Sequence, residues 1–221
     1  AISLSINIAR MARQNALVKK MIACETIGCI NVICSDKTGT LTENRMTVVD
    51  VWSGGGFVEE NAFCDRVMLE NYCLNSTADL YYENDIVRFV GNPTEGALLV
   101  SAKKCGVDYK DFREKAEICE LYPFSSDTKN MTSCIKKGDG YVVYTKGSPE
   151  KIIALCSLTE EERGIAEADI VSLQKRARRV IAFAHKYVKE LPKDRADAES
   201  GMSFDGFVGI ADPLRAEVYD A

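Results

Sequence analysis

The chain has 221 residues, of which 46% are hydrophobic and 28% charged, and its formal net charge is −5. This length allows one large or two small domains with hydrophobic cores, and the charge argues against a general attraction to nucleic acid or to an anionic membrane surface. Nine cysteines without a Cys-x-x-Cys pair and a single histidine disfavour a zinc site. This pattern is typical of a reduced cytosolic protein without disulfides.

Residues 1–20 predict a helix. Their alternating apolar start could form a strand, but the alanine, methionine and leucine residues that follow favour a helix. Residues 20–30 are expected to be a connection. No run in the sequence approaches the roughly 20 apolar residues of a membrane-spanning helix, and no secretory signal is present.

Residues 30–42 carry the strongest chemical signal. An apolar, β-branched run predicts a buried parallel strand that stops at Asp36. Ligands of open α/β sheets bind outside the carboxyl ends of strands, and Gly39 lets the next turn bring backbone N–H groups to an anion. A carboxylate in this place can act as a nucleophile, and Lys37 can neutralise the charge that develops during phosphoryl transfer.

The segment Cys-Ser-Asp-Lys-Thr-Gly-Thr-Leu-Thr, residues 34–42, closely resembles the phosphorylation motif of the P-type cation-transporting ATPases. The resemblance implies that Asp36 attacks the γ-phosphoryl group of ATP and forms an aspartyl phosphate. It also implies that Asp36 and the backbone carbonyl of Thr38 bind Mg²⁺. An ordinary turn after a buried strand would explain Asp36 and Gly39 but not the adjoining threonines.

Thr38 distinguishes two related classes of enzyme. In phosphatases of the haloacid dehalogenase class, an aspartate usually stands two positions after the nucleophile and works as a general acid/base. A threonine cannot do so, and hydrolysis of the acyl phosphate should therefore be slow. The resemblance thus favours a pump over a soluble phosphatase.

The elements after the motif are predicted in chain order as a strand, a flexible glycine break, an amphipathic helix and a strand, at residues 43–52, 54–56, 61–75 and 85–90. Asn92 and Pro93 then mark a helix start, as the N-cap and the first helical residue. Glu95 has two interpretations that do not exclude each other. It can close a capping box on the N–H of Asn92, or, by resemblance of this segment to the family, contact adenine.

Residues 118–122 predict a strand, and residues 131–136 and 141–146 predict a hairpin around a Gly-Asp-Gly turn. The segments that flank the hairpin resemble nucleotide-domain motifs of the same ATPases. Taken alone, Phe124 would be interpreted as a core residue. The resemblance implies instead that it stacks on adenine, in a pocket lined also by Lys129, Lys146 and Gly147.

Two positions in this region depart from the family pattern. Ser126 and Thr128 stand where the family often has basic residues. We therefore expect weaker binding of ATP than in a pocket with those additional positive charges.

Thr159 and Glu162 predict a capping box for a helix that continues to about residue 178. The basic residues at its end are read as a solvated helix terminus. Arg179 is the exception, because it begins a segment that resembles a family strand whose arginine reaches the nucleotide phosphates. His185 has no acidic neighbour in the sequence and is interpreted as a surface or sheet-edge residue.

Residues 204–210 predict a strand that returns to the first unit. The segment Asp-Pro-Leu-Arg after it resembles the family's hinge to the phosphorylation domain. The resemblance implies that Asp212 and Arg215 lie near the nucleotide phosphates. An Asp-Pro turn by itself would also explain the segment.

These features predict an α/β (α+β) fold. An antiparallel-sheet nucleotide-binding domain with flanking helices would be inserted into a partial haloacid-dehalogenase-like, or Rossmann-like, phosphorylation domain. The parts are expected to be the cytosolic end of a transmembrane or stalk helix, the N-terminal part of the phosphorylation domain, the nucleotide-binding domain, and the return hinge with the start of the remaining phosphorylation domain, at residues 1–24, 25–50, 51–205 and 206–221.

The resemblance implies the cytosolic, ATP-binding and phosphorylated part of a membrane ion pump, with ATP and Mg²⁺ as cofactors and calcium as the preferred cation. The family's second magnesium motif and its ion-binding helices are not in the sequence. We therefore expect a soluble, monomeric fragment that binds ATP without turnover and does not bind nucleic acid. A catalytically silent nucleotide-binding or interaction module and a soluble phosphatase are the alternatives.

Overall fold

A computed structural model describes residues 2–59, 65–83 and 86–219, and the chain divides into two compact units, Ala1–Leu41 and Thr42–Ala221. The first unit contains helix α1 (Ile2–Arg13), helix α2 (Met21–Ile27) and a π-helical turn at Lys37–Leu41. Helix α1 confirms the predicted starting helix. Helix α2 occupies most of what was predicted to be a connection.

The parallel strand predicted before Asp36 is wrong for this structure. Residues 30–36 form neither a strand nor a helix, and the side chains of Val32 and Ile33 are 75% and 80% exposed. A buried parallel strand needs hydrogen-bonded neighbours at its edges and helices over its faces. Among the described residues no strand pairs with this segment, so its β-branched composition has no sheet to join.

The second unit is built on an antiparallel sheet. Its strands in chain order are β1 (Thr47–Ser53), β2 (Gly56–Val58), β5 (Glu117–Tyr122), β6 (Asn130–Lys137), β7 (Gly140–Gly147), β8 (Arg179–Val188) and β9 (Ser203–Ala211), while β3 (Asp79–Glu83) and β4 (Ile86–Val90) form a separate hairpin. Across the described residues, the large sheet has the spatial order β2-β1-β9-β8-β7-β6-β5. The predicted antiparallel sheet is confirmed.

Helices cover both faces of the large sheet. One face packs against α3 (Arg66–Leu74), α4 (Pro93–Lys104) and α5 (Tyr109–Lys115), and the other against α6 (Pro149–Leu155), α7 (Glu160–Lys175) and the short α8 (Arg195–Ala198). Successive side chains of a strand point to opposite faces. Phe183 on β8 accordingly joins the core under α3 and α4, whereas its neighbours Ala182 and Ala184 join the core under α6 and α7.

The local signals in the sequence predicted most elements of this unit. The hairpin of β6 and β7, the start of α4 at Pro93 and the capping box of Thr159 with Glu162 are confirmed. Helix α7 ends at Lys175, slightly before the predicted position. The predicted glycine break is a tight turn between β1 and β2, in which Gly54 and Gly55 have φ angles of 64° and 93°. Part of the helix predicted for residues 61–75 lies outside the described residues.

His185 is not a surface or sheet-edge residue, contrary to the prediction. It lies on β8 inside the sheet, and its Nδ1 is 2.5 Å from Oδ1 of Asp205 on β9. The side chains of His185 and Asp205 are only 17% and 6% exposed. The acid is distant in sequence and becomes a neighbour through strand pairing alone, which is why the sequence did not reveal it.

We predict that His185 titrates above the ordinary histidine pKa of about 6.5. The hydrogen bond to Asp205 raises the pKa of His185 more than burial lowers it. Because the pKa in the folded state is above that in the unfolded state, the stability from this interaction is present below the unfolded pKa and is lost as pH rises through the folded pKa.

An NMR titration of the imidazole measures this pKa directly, and assignment is simple because the chain has one histidine. The variant Asp205→Asn is the control and should return the histidine pKa towards its ordinary value. A pKa at or below the ordinary value in the unchanged protein would contradict the prediction.

Candidate functional site

A cleft of about 420 Å³ lies at one end of the large sheet, between the start of α4, the loop before β6, the end of β7 and the start of β8. Six of the residues predicted to bind nucleotide line it together: Glu95, Phe124, Lys129, Lys146, Gly147 and Arg179. They come from segments far apart in sequence. The structure therefore brings the predicted pocket together.

Antiparallel pairing explains this convergence. Gly147 at the end of β7 is paired with Asn130 at the start of β6 and with Ala182 near the start of β8. Three strand ends consequently meet at one end of the sheet. Helix α4 begins beside them, where the side chain of Asn92 accepts a hydrogen bond from the N–H of Thr94 at 2.9 Å, as an N-cap does.

Phe124 is not a core residue, because its side chain is 59% exposed while lining the cleft. The loop that carries it is fixed by hydrogen bonds between the hydroxyls of Ser125 and Thr128 at 2.8 Å and from the N–H of Lys129 to the carbonyl of Ser125 at 2.9 Å. Thr128, one of the departures from the family pattern, thus stabilises the loop. An exposed ring on a fixed loop can stack on a base.

Glu95 and Lys146 form a buried ion pair in the cleft. Their side chains are only 9% and 8% exposed, and Lys146 Nζ lies 2.9 Å from Glu95 Oε1. Lys146 also donates to the carbonyl of Asn75. The other carboxylate oxygen of Glu95, Oε2, accepts from the N–H of Thr77 at 2.8 Å and from the N–H of Ala78 at 3.2 Å.

These contacts do not form the predicted capping box. The carboxylate of Glu95 turns to the loop before β3 and to Lys146, whereas Asn92 caps α4 with its own side chain. The pair with Lys146 gives the buried carboxylate a counter-charge. Within the cleft Lys146 is therefore not a free positive charge but half of a compensated pair.

The environment shifts the pKa of both partners. Burial raises the pKa of Glu95, but the attraction of Lys146 and the hydrogen bonds from Thr77 outweigh burial, so that the carboxyl has a lowered pKa. Burial lowers the pKa of Lys146 against the opposing effect of Glu95. Glu95 is therefore held in its ionised form at neutral pH.

Two exposed cations complete the cleft. Arg179 donates to the hydroxyl of Thr94 at 3.0 Å, and Lys129 lies at the end of the Phe124 loop in the left-handed region, with φ of 56°. With the ion pair of Glu95 and Lys146 compensated, these two side chains give the cleft its positive character. The arrangement suits a ligand with a flat apolar part and an anionic part.

Gly147 has a structural reason to be glycine. A Cβ atom there would collide with the carbonyl oxygen of Lys129 and approach Cβ of Asn130 to 2.7 Å. The close approach of β6 thus requires glycine independently of any ligand.

Asp212 and Arg215 lie at the junction of the outgoing and returning segments and do not line the cleft. Asp212 accepts hydrogen bonds from the hydroxyl of Thr42 at 2.5 Å and from the N–H of Arg45 at 2.9 Å. Arg215 Nε donates to the carbonyl of Thr42 at 3.1 Å. The described contacts of both residues thus fasten the two chain segments to each other.

Asp36, Lys37 and Thr38 belong to the first unit. Asp36 is exposed, and the hydroxyl of Ser35 donates to its backbone carbonyl at 3.1 Å. Lys37 and Thr38 begin the π-helical turn. The exposed Asp36 thus lies immediately before this turn.

Several residues that the sequence did not reveal support the cleft without lining it. Asn71 in α3 and Asn75 at the C-cap of α3 are fully buried. Their side-chain amides donate hydrogen bonds to carbonyls of the large sheet. Arg113 of α5 donates to the carbonyl of Cys73 in α3 and to the carbonyls of Ser76 and Ala78 in the loop that follows. In the sequence, the available signal for these contacts was the pair of asparagines four positions apart beside apolar residues. Buried side-chain amides need hydrogen-bond partners, so such a pair indicates a supporting role.

Comparison with known proteins identifies the class to which this fold and cleft belong. Residues 64–217 match the family described as P-type ATPase, cytoplasmic domain N. The chain belongs to this family.

The similar proteins are named cation-transporting or calcium-transporting ATPases. The chain is 34% identical over its whole length to a cation-transporting ATPase, pma1, of Synechocystis sp., of which it covers 28%. It is also 34% identical over its whole length to calcium-transporting ATPase 1 of Bacillus cereus, covering 26%, and 32% identical to a calcium-transporting ATPase of Bacillus subtilis, covering 28%. The chain thus spans about a quarter of the length of these relatives. No helix in its described part is long and apolar enough to cross a membrane.

Proposed function

We propose that this chain is the ATP-binding and phosphorylated cytosolic part of an ATP-driven cation pump. The observation that carries the proposal is the cleft, where the exposed ring of Phe124 and the cations Lys129 and Arg179 surround the compensated pair of Glu95 and Lys146. Membership of the P-type ATPase family supports the same activity for the whole protein.

The cleft suits ATP in a defined orientation. The adenine ring stacks on Phe124, and the polar groups of Glu95 and Lys146 face it without leaving an unbalanced charge in the interior. The triphosphate then extends towards Arg179 and Lys129, which attract it as positive charges. Because the ammonium of Lys146 is already paired, phosphate binding falls to these two exposed cations.

Asp36 is the nucleophile in this proposal. Its carboxylate attacks the γ-phosphorus of ATP, the bond from that phosphorus to the bridging oxygen breaks, and ADP leaves. Lys37 offsets the negative charge that develops. The absence of an acid/base aspartate at position 38 lets the acyl phosphate persist, which suits a pump.

Mg²⁺ fits the residues that are present. The exposed carboxylate of Asp36 is a hard oxygen ligand, and Mg²⁺ is commonly bound by one or two carboxylates together with phosphates and water. Asp36 and the carbonyl of Thr38 would hold it. The ion would neutralise charge on the transferring phosphoryl group.

The domain organisation belongs to the proposal as well. Residues 51–205 would form a nucleotide-binding domain inserted between residues 25–50 and 206–221 of a haloacid-dehalogenase-like phosphorylation domain. The adjacent strands β1 and β9 carry the two crossing segments, and Thr42 and Asp212 join them. A few residues at such a junction can act as a hinge for domain closure, which would bring ATP to Asp36.

Calcium is the proposed cation, and the chain is proposed to lie on the cytosolic side of the membrane. The 221-residue chain is proposed to bind ATP as a monomer without steady-state hydrolysis. Several relatives are named calcium-transporting ATPases, which supports the choice of cation. Steady ATP hydrolysis by the 221-residue chain alone would contradict the last point, and turnover of small phosphate esters would favour a phosphatase.

Phe124→Ala is expected to weaken ATP binding about tenfold, because stacking of one base on an aromatic ring contributes about 1 to 3 kcal/mol. Isothermal titration calorimetry of the 221-residue chain with ATP measures the change. Tyr82→Ala is the matched control, since Tyr82 is 60% exposed, close to the 59% of Phe124, and does not line the cleft. Equal affinities of the Phe124 variant and the unchanged protein would remove Phe124 as the base platform.

A further inference from the structure

Arg113 on α5 donates hydrogen bonds to the last turn of α3 and to the loop between α3 and β3. Its Nε donates to the carbonyl of Cys73 at 2.9 Å, and its Nη2 donates to the carbonyls of Ser76 and Ala78 at 2.9 and 3.0 Å. Its remaining terminal nitrogen, Nη1, lies 2.9 Å from Oδ1 of Asp79. One planar guanidinium thus joins three carbonyls, those of residues 73, 76 and 78.

The same loop also contacts both members of the buried ion pair. Ser76, Thr77 and Ala78 donate to Oε2 of Glu95 through two hydroxyls and two backbone N–H groups, at 2.8 to 3.3 Å. The carbonyl of Asn75 accepts from Nζ of Lys146. The loop therefore presents carbonyls to Arg113 and N–H groups to Glu95.

We propose that Arg113 is a positioning residue for nucleotide binding: by fixing the carbonyls of Cys73, Ser76 and Ala78 it aims the loop's donors at Glu95 and so orients the Glu95–Lys146 pair towards the base. Arg113 itself does not line the cleft. The inference rests on the proposed ATP-binding function and adds a residue that acts through Glu95.

Other side chains cannot easily supply this geometry. Lysine has one nitrogen in place of the rigid fork of arginine, so it cannot reach the carbonyls of Cys73, Ser76 and Ala78 together. The face of Tyr109 lies 4.8 Å from Cζ of Arg113 and keeps the guanidinium in place. The contact with Asp79 is on the solvent side, where the Asp79 side chain is 68% exposed.

A double-mutant cycle tests the proposal with the 221-residue chain, ATP and isothermal titration calorimetry. Arg113→Met is expected to weaken ATP binding about tenfold, in the range expected for lost hydrogen bonds to a charged group. In the background of Glu95→Gln the same change should cost less than about twofold, because residues that act through one another are not additive. A merely structural role would give the same factor in both backgrounds.

Two further variants keep the test decisive. Arg113→Lys preserves the positive charge and should still weaken ATP binding, which would show that the geometry of the guanidinium matters and not its charge alone. This variant also replaces Arg113→Met in the test if the methionine variant does not fold. Asp79→Asn is the matched control, because it removes only the negative charge at the solvent-side partner of Arg113, keeps an acceptor oxygen there, and should leave affinity unchanged.

The outcomes separate this inference from the function on which it rests. Unchanged ATP affinity in a folded Arg113→Lys or Arg113→Met variant, or full additivity with Glu95→Gln, would overturn the positioning role while ATP binding stands. Absence of ATP binding by the unchanged chain would instead overturn the proposed function.

Discussion

Replacement of Lys146 by methionine is expected to lower the free energy of unfolding by about 3 kcal/mol or more. The substitution keeps most of the side-chain volume but leaves the carboxylate of Glu95 buried without its counter-charge, since both side chains are less than 10% exposed. Breaking a buried ion pair in this way costs more than the pair contributes over an apolar replacement. ATP binding should be lost as well, because the cleft then contains the unpaired negative charge of Glu95.

The loss of unfolding free energy in the Lys146→Met variant is expected to depend on pH. The pKa of Glu95 in the folded protein is lowered, so the stability it contributes is present above its unfolded pKa and is lost as pH falls through the folded pKa. Without Lys146 the pKa of Glu95 rises. The difference in unfolding free energy between the variant and the unchanged protein should therefore be largest at neutral pH and shrink towards acid pH.

Urea unfolding followed by circular dichroism measures both effects. The double variant Glu95→Gln with Lys146→Met is the control, and we expect it to recover a large part of the stability but not the ATP binding. Equal unfolding midpoints for the Lys146 variant and the unchanged protein would show that the ion pair is not buried as described. A double variant as unstable as the single one would show that charge is not the cause.

Asp36→Asn is expected to abolish the proposed phosphorylation in the full-length protein. An amide cannot replace the carboxylate as nucleophile, so no acyl phosphate forms and ATP hydrolysis falls to background. Affinity for ATP should remain, because Asp36 does not line the cleft.

Acid-quenched labelling with γ-phosphate-labelled ATP, followed by treatment with hydroxylamine, detects the acyl phosphate. Glu43→Gln is the matched control, because it makes the same acid-to-amide change at another exposed carboxylate near the motif. A labelled, hydroxylamine-sensitive Asp36→Asn protein would assign the phosphate to another residue. An unchanged full-length protein that binds ATP but is not labelled would favour the catalytically silent module.

Signals that act within a few residues predicted much of the fold. The N-cap Asn92 followed by Pro93, the turn between β6 and β7, and the capping box of Thr159 each act over fewer than about five residues. Such signals are complete in the sequence. The elements they predict are present in the structure.

The features that the sequence did not reveal depend on contacts between distant segments. Asp205 meets His185 only because β8 and β9 pair, and the carboxylate of Glu95 leaves the helix start because Lys146 and the loop at Thr77 offer it stronger partners. The apolar run before Asp36 is the opposite case, because its local signal is present but the strand does not form. Its composition favours a strand, but pairing partners decide whether one forms.

Resemblance, and not periodicity, predicted the cleft. Nothing in the local pattern distinguishes Phe124 from a core residue, whereas the structure leaves it exposed in the cleft. Arg113 carried no motif at all. Its importance follows from the carbonyls that it joins, and these are brought together only by the packing of α5 against α3.

The most direct test of the central claim is an NMR titration of the isotope-labelled 221-residue chain with ATP. We predict saturable shift changes that are largest for the ring of Phe124 and the amide of Gly147, both in the cleft. Gly106 provides the comparison, because it lines a second cleft of about 420 Å³ beside Arg66 and Glu70. Saturable changes at Gly106 without changes at Phe124 and Gly147, or no saturable change at any of the three, would contradict the account.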